Sequence, residues 1–294
     1  GITTGAVTAL TAGMDAIDVQ TLSTTADIAI LANGNLRAGN IGIAANIIPA
    51  ASNGTLNVRS NGSINALTGV EARNLGTGST TVTTVGPVTA TTGNGIFAQS
   101  NGGAVTVAAG NVSSVGNSAI NVQQSNVAGA GAMNITAGNV SGTTGILANN
   151  LGTGTTTINA NGTTTGTAGP SINANGHAAT VNVSGSGTVN GFIDLTDNAD
   201  SVNNNGLFNT SGTSLFGLGT DVFNNAATIT AFNGATIFSG LETLSNTGII
   251  NMIDGVANDS LTTSGNYSGT NGTLRLDTVL GDDASLSDRL VVGG

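Results

Sequence analysis

Carboxylates are the side chains of this sequence whose type and grouping come closest to supporting chemistry. The chain has 15 acidic residues against five arginines, with no lysine, no cysteine and a single histidine. Asp194, Asp197 and Asp200 lie three residues apart, and carboxylate oxygens are the ligands that calcium prefers. The interleaved glycines of calcium-binding nonapeptide solenoids are missing here, so we predict solvated or turn-capping carboxylates and no metal site.

A second acidic group lies near the end of the chain, and two isolated titratable residues lie elsewhere. The group consists of Asp282, Asp283 and Asp288. We expect these carboxylates to cap turns or to pair with the adjacent Arg289. Glu242 and His177 have no partner nearby in the sequence, so general acid–base catalysis is not expected at either, and His177 is expected at a surface corner. The sequence therefore predicts no catalytic, metal-binding or cofactor-binding residue, and no cofactor.

A carbohydrate-active enzyme is the first alternative function. Enzymes that cleave polysaccharides need carboxylates grouped with basic residues in one cleft. Arg37, Arg59 and Arg73 fall at different places in the repeat described below, so they are not expected to stack. A non-enzymatic protein is therefore favoured, with a polysaccharide-acting enzyme as the alternative.

Runs of threonine point to a second alternative, an ice-binding solenoid. The runs lie at residues 80–81, 83–84, 155–157 and 163–165. An ice-binding surface needs threonines in the same register on successive coils, and we expect segments 105–107 and 133–135 to interrupt that register. The high strand propensity of threonine explains the runs better.

The elements that must position these side chains repeat along the chain. A triplet with apolar first and third residues begins at Ile17, Ile43, Val70, Ile96, Ile120, Ile146 and Ile172. Successive starts are 24 to 27 residues apart. A fixed apolar pair around a variable middle residue is typical of a strand with one buried face. A repeat of this length indicates a solenoid.

Two further strands complete each repeat. The second strand is predicted at 28–30, 56–58, 105–107, 133–135 and 181–183. The third is centred near Leu36, Ile64, Val88, Val112, Val140 and Val189. Three short strands per repeat predict an all-β fold, a three-sided parallel β-helix (β-solenoid). We expect it to be right-handed, because crossovers between parallel strands of one sheet almost always are.

Composition limits the partners and the type of core. The net charge is −10, so nucleic acid and anionic membranes are not expected as partners. No apolar run approaches about 18 residues, so no membrane insertion is expected of this segment. Aromatic residues make up only 3% of the chain, which suits a narrow column of aliphatic side chains better than a thick globular core.

Charge and coil length divide the chain near residue 193. Residues 1–193 carry four acids and three arginines, whereas residues 194–294 carry eleven acids and two arginines. Six of the seven phenylalanines lie beyond residue 190, and Asn204, Asn225 and Asn246 recur every 21 residues. We predict β-helix coils over 1–193 and shorter coils with a C-terminal cap over 194–294, since a terminal repeat must cover its own core.

The last thirty residues carry a pattern that can be written Y-x-G, L-x-L-D and D-x-S-x-S-D-R-L. Its positions are Tyr267, Gly269, Leu274, Leu276, Asp277, Asp283, Ser285, Ser287, Asp288, Arg289 and Leu290. This segment resembles the autochaperone region at the C-terminal end of passenger domains of classical (type V) autotransporters. Residues 1–193 resemble such passengers in architecture.

The resemblance implies a Gram-negative surface protein whose β-helix crosses the outer membrane unfolded and folds outside, beginning at the autochaperone end. It implies a C-terminal β-barrel translocator as partner, so we expect this sequence to be part of a longer, outer-membrane-anchored chain. The absence of cysteine suits passage through a pore. We expect a stalk that serves in adhesion to a host surface or matrix, or in self-association. Phe97 and Leu147 face the side of the solenoid, where cover by a loop is favoured over the alternative, a small outward apolar patch that supports adhesion.

Overall fold

Three parallel sheets wound into a solenoid make up the molecule. A computed structural model describes residues 1–232, 234–282 and 284–294. The elements in these ranges are 36 strands, and the described residues contain no helix of the length and apolarity that a membrane span requires. Successive strands go to successive sheets, so each coil contributes one strand to each of three 12-stranded sheets. The predicted three-sided parallel β-helix is confirmed, and its right-handed sense stays a prediction from the crossover rule.

Sheet 1 takes the first strand of each coil. Its strands are β1 (Ile2–Thr4), β4 (Ile28–Ala32), β7 (Leu56–Ser60), β10 (Thr80–Thr84), β13 (Val105–Ala109), β16 (Met133–Ala137), β19 (Thr156–Ala160), β22 (Ala179–Val183), β25 (Ser201–Asn204), β28 (Val222–Asn225), β31 (Thr243–Asn246) and β34 (Asn266–Gly269).

Sheet 2 takes the second strand and has mostly three-residue members. Its strands are β2 (Val7–Ala9), β5 (Leu36–Ala38), β8 (Ile64–Ala66), β11 (Val88–Ala90), β14 (Val112–Ser114), β17 (Val140–Gly142), β20 (Thr163–Gly166), β23 (Thr188–Gly191), β26 (Leu207–Thr210), β29 (Thr228–Ala231), β32 (Ile249–Asn251) and β35 (Thr273–Arg275).

Sheet 3 takes the third strand of each coil. Its strands are β3 (Ile17–Thr21), β6 (Ile41–Ile47), β9 (Thr68–Asn74), β12 (Ile96–Ser100), β15 (Ile120–Gln124), β18 (Ile146–Asn150), β21 (Ile172–Gly176), β24 (Ile193–Asp194), β27 (Thr213–Leu215), β30 (Ala235–Ser239), β33 (Ser260–Thr263) and β36 (Arg289–Val292).

The predicted aliphatic column lies inside sheet 3. Ile96 is directly opposite Val70 on one side and Ile120 on the other, and Ile120 is opposite Ile146. All four side chains are fully buried. Burying an aliphatic side chain of this size contributes about 1.5–3 kcal/mol, so the column is the main source of cohesion between coils.

One register within sheet 1 differs from the prediction. Residues 181–183 were expected to align with 133–135, but Val181 lies opposite Ile158, which lies opposite Ile135. The strand begins two residues earlier, at Ala179, because this alanine occupies the buried position that Thr156 and Met133 occupy on the two preceding strands.

Glycine is the second residue of the sheet 3 strands β6 and β9, where neighbouring coils approach closely. A Cβ atom on Gly69 would lie 2.2 Å from the carbonyl oxygen of Gly95, and one on Gly42 would lie 2.6 Å from the carbonyl oxygen of Gly69. Both distances are far inside van der Waals contact, so glycine is required for the coils to stack at this column.

Candidate functional site

Four phenylalanines fill the core of the shorter C-terminal coils. Phe208, Phe216, Phe223 and Phe238 are all fully buried. The Phe223 ring stacks on Phe238 with centroids 5.3 Å apart and meets the edge of Phe208 at 5.2 Å. Phe208 lies on sheet 2, Phe223 on sheet 1 and Phe238 on sheet 3, so these rings tie the three sheets together. The phenylalanine cluster continues the hydrophobic core of the upstream coils and fills its C-terminal part with aromatic side chains.

A ladder of carboxylates runs along one corner of the same coils. The Asp200 Oδ1 accepts a hydrogen bond from the Ala179 backbone N–H at 2.6 Å. The Asp221 Oδ1 accepts from the Asp200 N–H at 2.6 Å, and the Glu242 Oε2 accepts from the Asp221 N–H at 2.6 Å. In this first carboxylate ladder (Asp200, Asp221 and Glu242), each side chain binds the backbone of the preceding coil, in the short geometry of a charge-assisted bond.

A second carboxylate ladder, formed by Asp259 and Asp288, continues the pattern towards the C-terminus. The Asp259 Oδ1 accepts from the Gly234 N–H at 2.5 Å, and the Asp288 Oδ1 accepts from the Asp259 N–H at 3.0 Å. The second oxygen of Asp288 accepts from the Asp277 N–H at 2.7 Å. Asp277 in turn accepts from the Asp254 N–H at 2.9 Å. The acids concentrated beyond residue 193 thus bind backbone groups of neighbouring segments.

Burial raises the pKa values of three of the ladder carboxylates. Asp200 is 3% exposed and Asp221 is fully buried. Burial raises the pKa of Asp200 to about 6, against the opposing effect of its hydrogen bonds. Burial, together with the neighbouring Glu242, raises the pKa of Asp221 to about 6 as well. The pKa of Asp259 is raised by burial and by the surrounding aspartates. These groups hold their protons more tightly than ordinary aspartates do.

An inner asparagine ladder, formed by Asn204, Asn225 and Asn246, links the same coils through side chains. The Asn204 Nδ2 donates to the Asn225 Oδ1 and the Asn225 Nδ2 donates to the Asn246 Oδ1, each at 2.7 Å. The last amide donates to the Tyr267 hydroxyl at 3.1 Å. All three asparagines are buried, so these bonds replace water rather than compete with it.

An outer asparagine ladder lies on the opposite face of sheet 1. It comprises Asn159, Asn182, Asn203 and Asn224, joined by amide bonds of 2.9 Å, 3.0 Å and 3.0 Å. The outer ladder continues across residue 193. The division of the chain at that residue stays a prediction, based on coil length, charge and aromatic content.

The sequence motif near the C-terminus closes the last coil. Tyr267 lies on β34, Leu274 on β35 and Leu290 on β36, and both Tyr267 and Leu290 pack against the core. Between β35 and β36 the chain turns back through an antiparallel bridge between Thr278 and Ser287. Asp283, one of the motif positions and one of the predicted capping acids, lies outside the described residues.

The acids singled out in the sequence separate into different environments. Asp200 caps a backbone N–H as predicted, Asp197 is exposed, and burial raises the pKa of the half-buried Asp194. Asp282 caps the Ala284 N–H at 3.1 Å, also as predicted. Over the ranges that the structure covers, no three His, Cys, Asp or Glu side chains are arranged to hold a metal ion.

The two isolated titratable residues are also placed. Glu242, which has no partner nearby in the sequence, binds a backbone N–H 21 residues away. His177 lies half-buried beyond the end of β21, where its backbone N–H donates to the Asn150 carbonyl oxygen at 3.0 Å.

The arginines of the first half do not form a cleft. Arg37 lies on sheet 2, Arg59 on sheet 1 and Arg73 on sheet 3, so they point from three different sides of the solenoid. A shallow groove of about 320 Å3 runs along sheet 2 between β11 and β20, and none of its lining residues is charged. The described surface thus offers no paired carboxylate and base in that groove.

Phe97 is covered, as the sequence favoured over an apolar patch, but the cover is an arginine side chain and not a loop. The Phe97 side chain is only 8% exposed, and the guanidinium carbon of Arg73 lies 5.0 Å from its ring centroid. The Arg73 Nε also binds the Glu71 carboxylate at 2.8 Å. The long arginine side chain therefore covers the ring through a cation–π contact.

The threonine runs do not build a regular surface. On the outer face of sheet 1, Thr81 is followed by Thr106, Asn134, Thr157 and Thr180. The expectation that segment 105–107 interrupts this column is wrong, because its outward residue is itself a threonine. The interruption comes from Asn134 alone. The run at 163–165 lies on sheet 2, a different face.

Comparisons with known proteins agree with this architecture. The family profile described as Autochaperone Domain Type 1 matches residues 239–294. A curated relative, "Adhesin BmaC autotransporter" from Brucella suis biovar 1 (strain 1330), is 51% identical over 49 residues. That alignment covers 17% of this chain and 1% of the relative. No solved structure matches the chain.

The matched residues 239–294 run from the last residue of β30 to the C-terminal end of the solenoid, so this part of the chain is similar to an autochaperone domain of type 1. The chain spans only a small part of the length of the curated relative that it matches.

Proposed function

We propose that residues 194–294 act as the template on which the upstream coils fold after secretion. The observation that carries this proposal is the direction of the carboxylate ladders. Asp200, Asp221 and Glu242 each accept an N–H from the coil that lies nearer the N-terminus. A coil that arrives from upstream therefore finds charged acceptors already in place on the coil below it.

The energetics favour addition of coils to an existing end. Ordering one residue costs about 1–2 kcal/mol of backbone entropy, so an isolated coil of some twenty residues has no stability of its own. Coils of a solenoid gain stability mainly from nearest-neighbour contacts. The phenylalanine cluster fills the core of residues 194–294 densely, and each ladder hydrogen bond between coils adds about 0.5–1.5 kcal/mol. The shorter coils are thus suited to form first.

Truncation tests the template directly. Residues 1–193 and 1–294 are refolded from denaturant and followed by circular dichroism at the strand signal. We expect the truncated chain to refold much more slowly than the full one. Residues 101–294 serve as a control of nearly the same length as the truncated chain and are expected to refold at the rate of the full chain. Fast two-state refolding of residues 1–193 alone would contradict the proposal.

We further propose that the assembled coils serve as a non-enzymatic stalk in adhesion or self-association. The support is the adhesin name of the curated relative, together with the scattered arginines and the uncharged groove on sheet 2. Bacteria that express the whole protein with an internal deletion of residues 1–193 are expected to lose attachment to host cells or matrix, at surface levels matched by flow cytometry. Unchanged attachment at matched levels would count against adhesion by these coils.

The alternative function, a polysaccharide-acting enzyme, is tested by measuring cleavage of polysaccharides. A polysaccharide-acting enzyme releases reducing or unsaturated ends from its substrate, and a panel of acidic and neutral polysaccharides covers both reaction types. We expect no release by residues 1–294. Release that depends on Arg37, Arg59 or Arg73 would overturn the non-enzymatic assignment.

A further inference from the structure

We infer that the first carboxylate ladder is a pH-sensitive clamp that tightens the C-terminal coils in mild acid and loosens them at neutral pH. The inference rests first on geometry. Asp200, Asp221 and Glu242 lie on successive coils, 21 residues apart, at the same corner of the solenoid. Adjacent strands of a sheet are about 4.8 Å apart, so ionised carboxylates at this corner repel one another at close range.

No cation compensates the ladder. The groups around Asp200 are the Thr196 hydroxyl, the Thr196 and Ala179 backbone N–H groups, and the carboxylate of Asp221. The charged group facing Asp221 from the next coil is Glu242. Across the residues placed by the structure, the one ion pair is between Arg73 and Glu71, on β9 of sheet 3. Burial of like charges without a counter-ion is costly, and a proton is the simplest way to remove that cost.

Asp221 has the atom that would hold this proton. Its Oδ1 accepts the Asp200 N–H, but its Oδ2 is buried and has no hydrogen-bond partner among the described atoms. An ionised oxygen without a donor is unfavourable in this position, whereas a protonated Oδ2 can itself donate to the adjacent Glu242 carboxylate. Protonation therefore exchanges a repulsion between two coils for a hydrogen bond.

The direction of the pH effect follows from proton linkage. The pKa values of Asp200 and Asp221 rise from the reference of 3.8 to about 6 on folding, so the folded state binds more protons than the unfolded state between these values. Stability is therefore greatest below pH 3.8 for these two groups and falls as the pH rises through 6. Between about pH 7.5 and about pH 5 the opening equilibrium of the coils changes by about tenfold per group.

The consequence for secretion deepens the proposed template function and rests on it. If the folding of the upstream coils begins on residues 194–294, the pH outside the cell determines the stability of the coils on which folding begins. The pH dependence of the stability of the folded chain does not require that function. An equilibrium experiment on folded residues 1–294 therefore tests the clamp separately from the refolding experiment, which tests the template.

Amide hydrogen exchange on residues 1–294 is the direct test. Protection of the Ala179, Asp200 and Asp221 amides, corrected for intrinsic exchange rates, is compared at about pH 5 and about pH 7.5. We expect about tenfold or greater protection in acid. Asp221→Asn keeps the Oδ1 acceptor without the charge, so it is expected to raise protection at the higher pH and to reduce the pH dependence. Asp197→Asn, an exposed change in the same coil, is the control and is expected to behave as the wild type.

Two results would overturn the inference. One is equal corrected protection of these amides at both pH values in the wild type. The other is an unchanged pH dependence in Asp221→Asn. Should that variant fail to fold, NMR titration of the Asp221 carboxyl carbon in the wild type gives the same answer: a midpoint near 6 supports the clamp, and a midpoint at the reference value of 3.8 refutes it.

Discussion

Replacing Phe223 by alanine is the sharpest test of how the C-terminal coils are held together. The Phe223 ring is fully buried and contacts the Phe208 and Phe238 rings at centroid distances of 5.2 Å and 5.3 Å. Truncating a buried phenylalanine to alanine costs about 3–5 kcal/mol. Each aromatic pair contributes about 0.5–1.5 kcal/mol beyond its buried area, so the upper part of that range is expected here.

At equilibrium the loss of stability is expected only in the coils near Phe223, whereas the refolding rate of the whole chain is expected to fall. Coils of a solenoid contact only their neighbours, so amide exchange is expected to accelerate in β25 to β31 while β12 to β15 keep wild-type protection. Refolding of the whole chain, followed by circular dichroism, is expected to slow, because the weakened coils are the ones proposed to form first.

Phe232→Ala is the matched control for this change. Phe232 is only partly buried and lines a surface depression near β23 and β26. Its truncation is expected to cost about 1 kcal/mol or less, with no change in refolding rate. If Phe223→Ala proved no more destabilising than Phe232→Ala, the phenylalanine cluster would not be the core that residues 194–294 depend on.

Three further substitutions probe other features. Asn225→Leu breaks the inner asparagine ladder and is expected to cost about 2–4 kcal/mol in urea unfolding, against less than about 1 kcal/mol for Asn224→Leu on the outer face. Gly69→Ala places a methyl group against the backbone of the next coil and is expected to lower the free energy of unfolding by about 2–4 kcal/mol. The control, Gly5→Ala, meets open space and is expected to leave the midpoint of urea unfolding unchanged. Arg73→Ala uncovers the Phe97 ring, so it is expected to increase the fluorescence of a hydrophobic dye. It is expected to lower the free energy of unfolding by less than about 1 kcal/mol, because the ion pair with Glu71 and the cation–π contact are half-exposed. A larger loss of stability would contradict that reasoning.

The aliphatic columns could be predicted because a solenoid repeats its core in the sequence itself. Ile96, Ile120 and Ile146 lie one coil apart in the sequence, and in the structure they lie directly opposite one another on adjacent strands of sheet 3. The interval of 21 residues at Asn204, Asn225 and Asn246 likewise predicted stacking. It did not predict that these amides point inward, because alternation along a strand fixes which residues share a face but not which polar face is buried.

The partners of polar side chains were much harder to predict. Glu242 looked isolated because its partner is a backbone N–H, which has no signature in the sequence. The strand pattern showed that Phe97 points outward, and cover by a loop was favoured for it. That Arg73 supplies the cover instead depends on side-chain conformation, which the sequence pattern does not reveal. The pKa shifts of Asp200 and Asp221 follow from burial at a corner, and no local pattern of residues marks a corner as closed to water.

The stacking of whole coils has a consequence for how such a chain changes over evolutionary time. The coils upstream of residue 193 meet their neighbours through nearly the same columns of Ile, Val and Ala, so duplication or loss of one complete coil by recombination leaves both new junctions well matched. Each event would lengthen or shorten the solenoid by about 4.8 Å. The length of the solenoid can therefore change in steps of one coil without any change to the phenylalanine-filled coils at its C-terminal end.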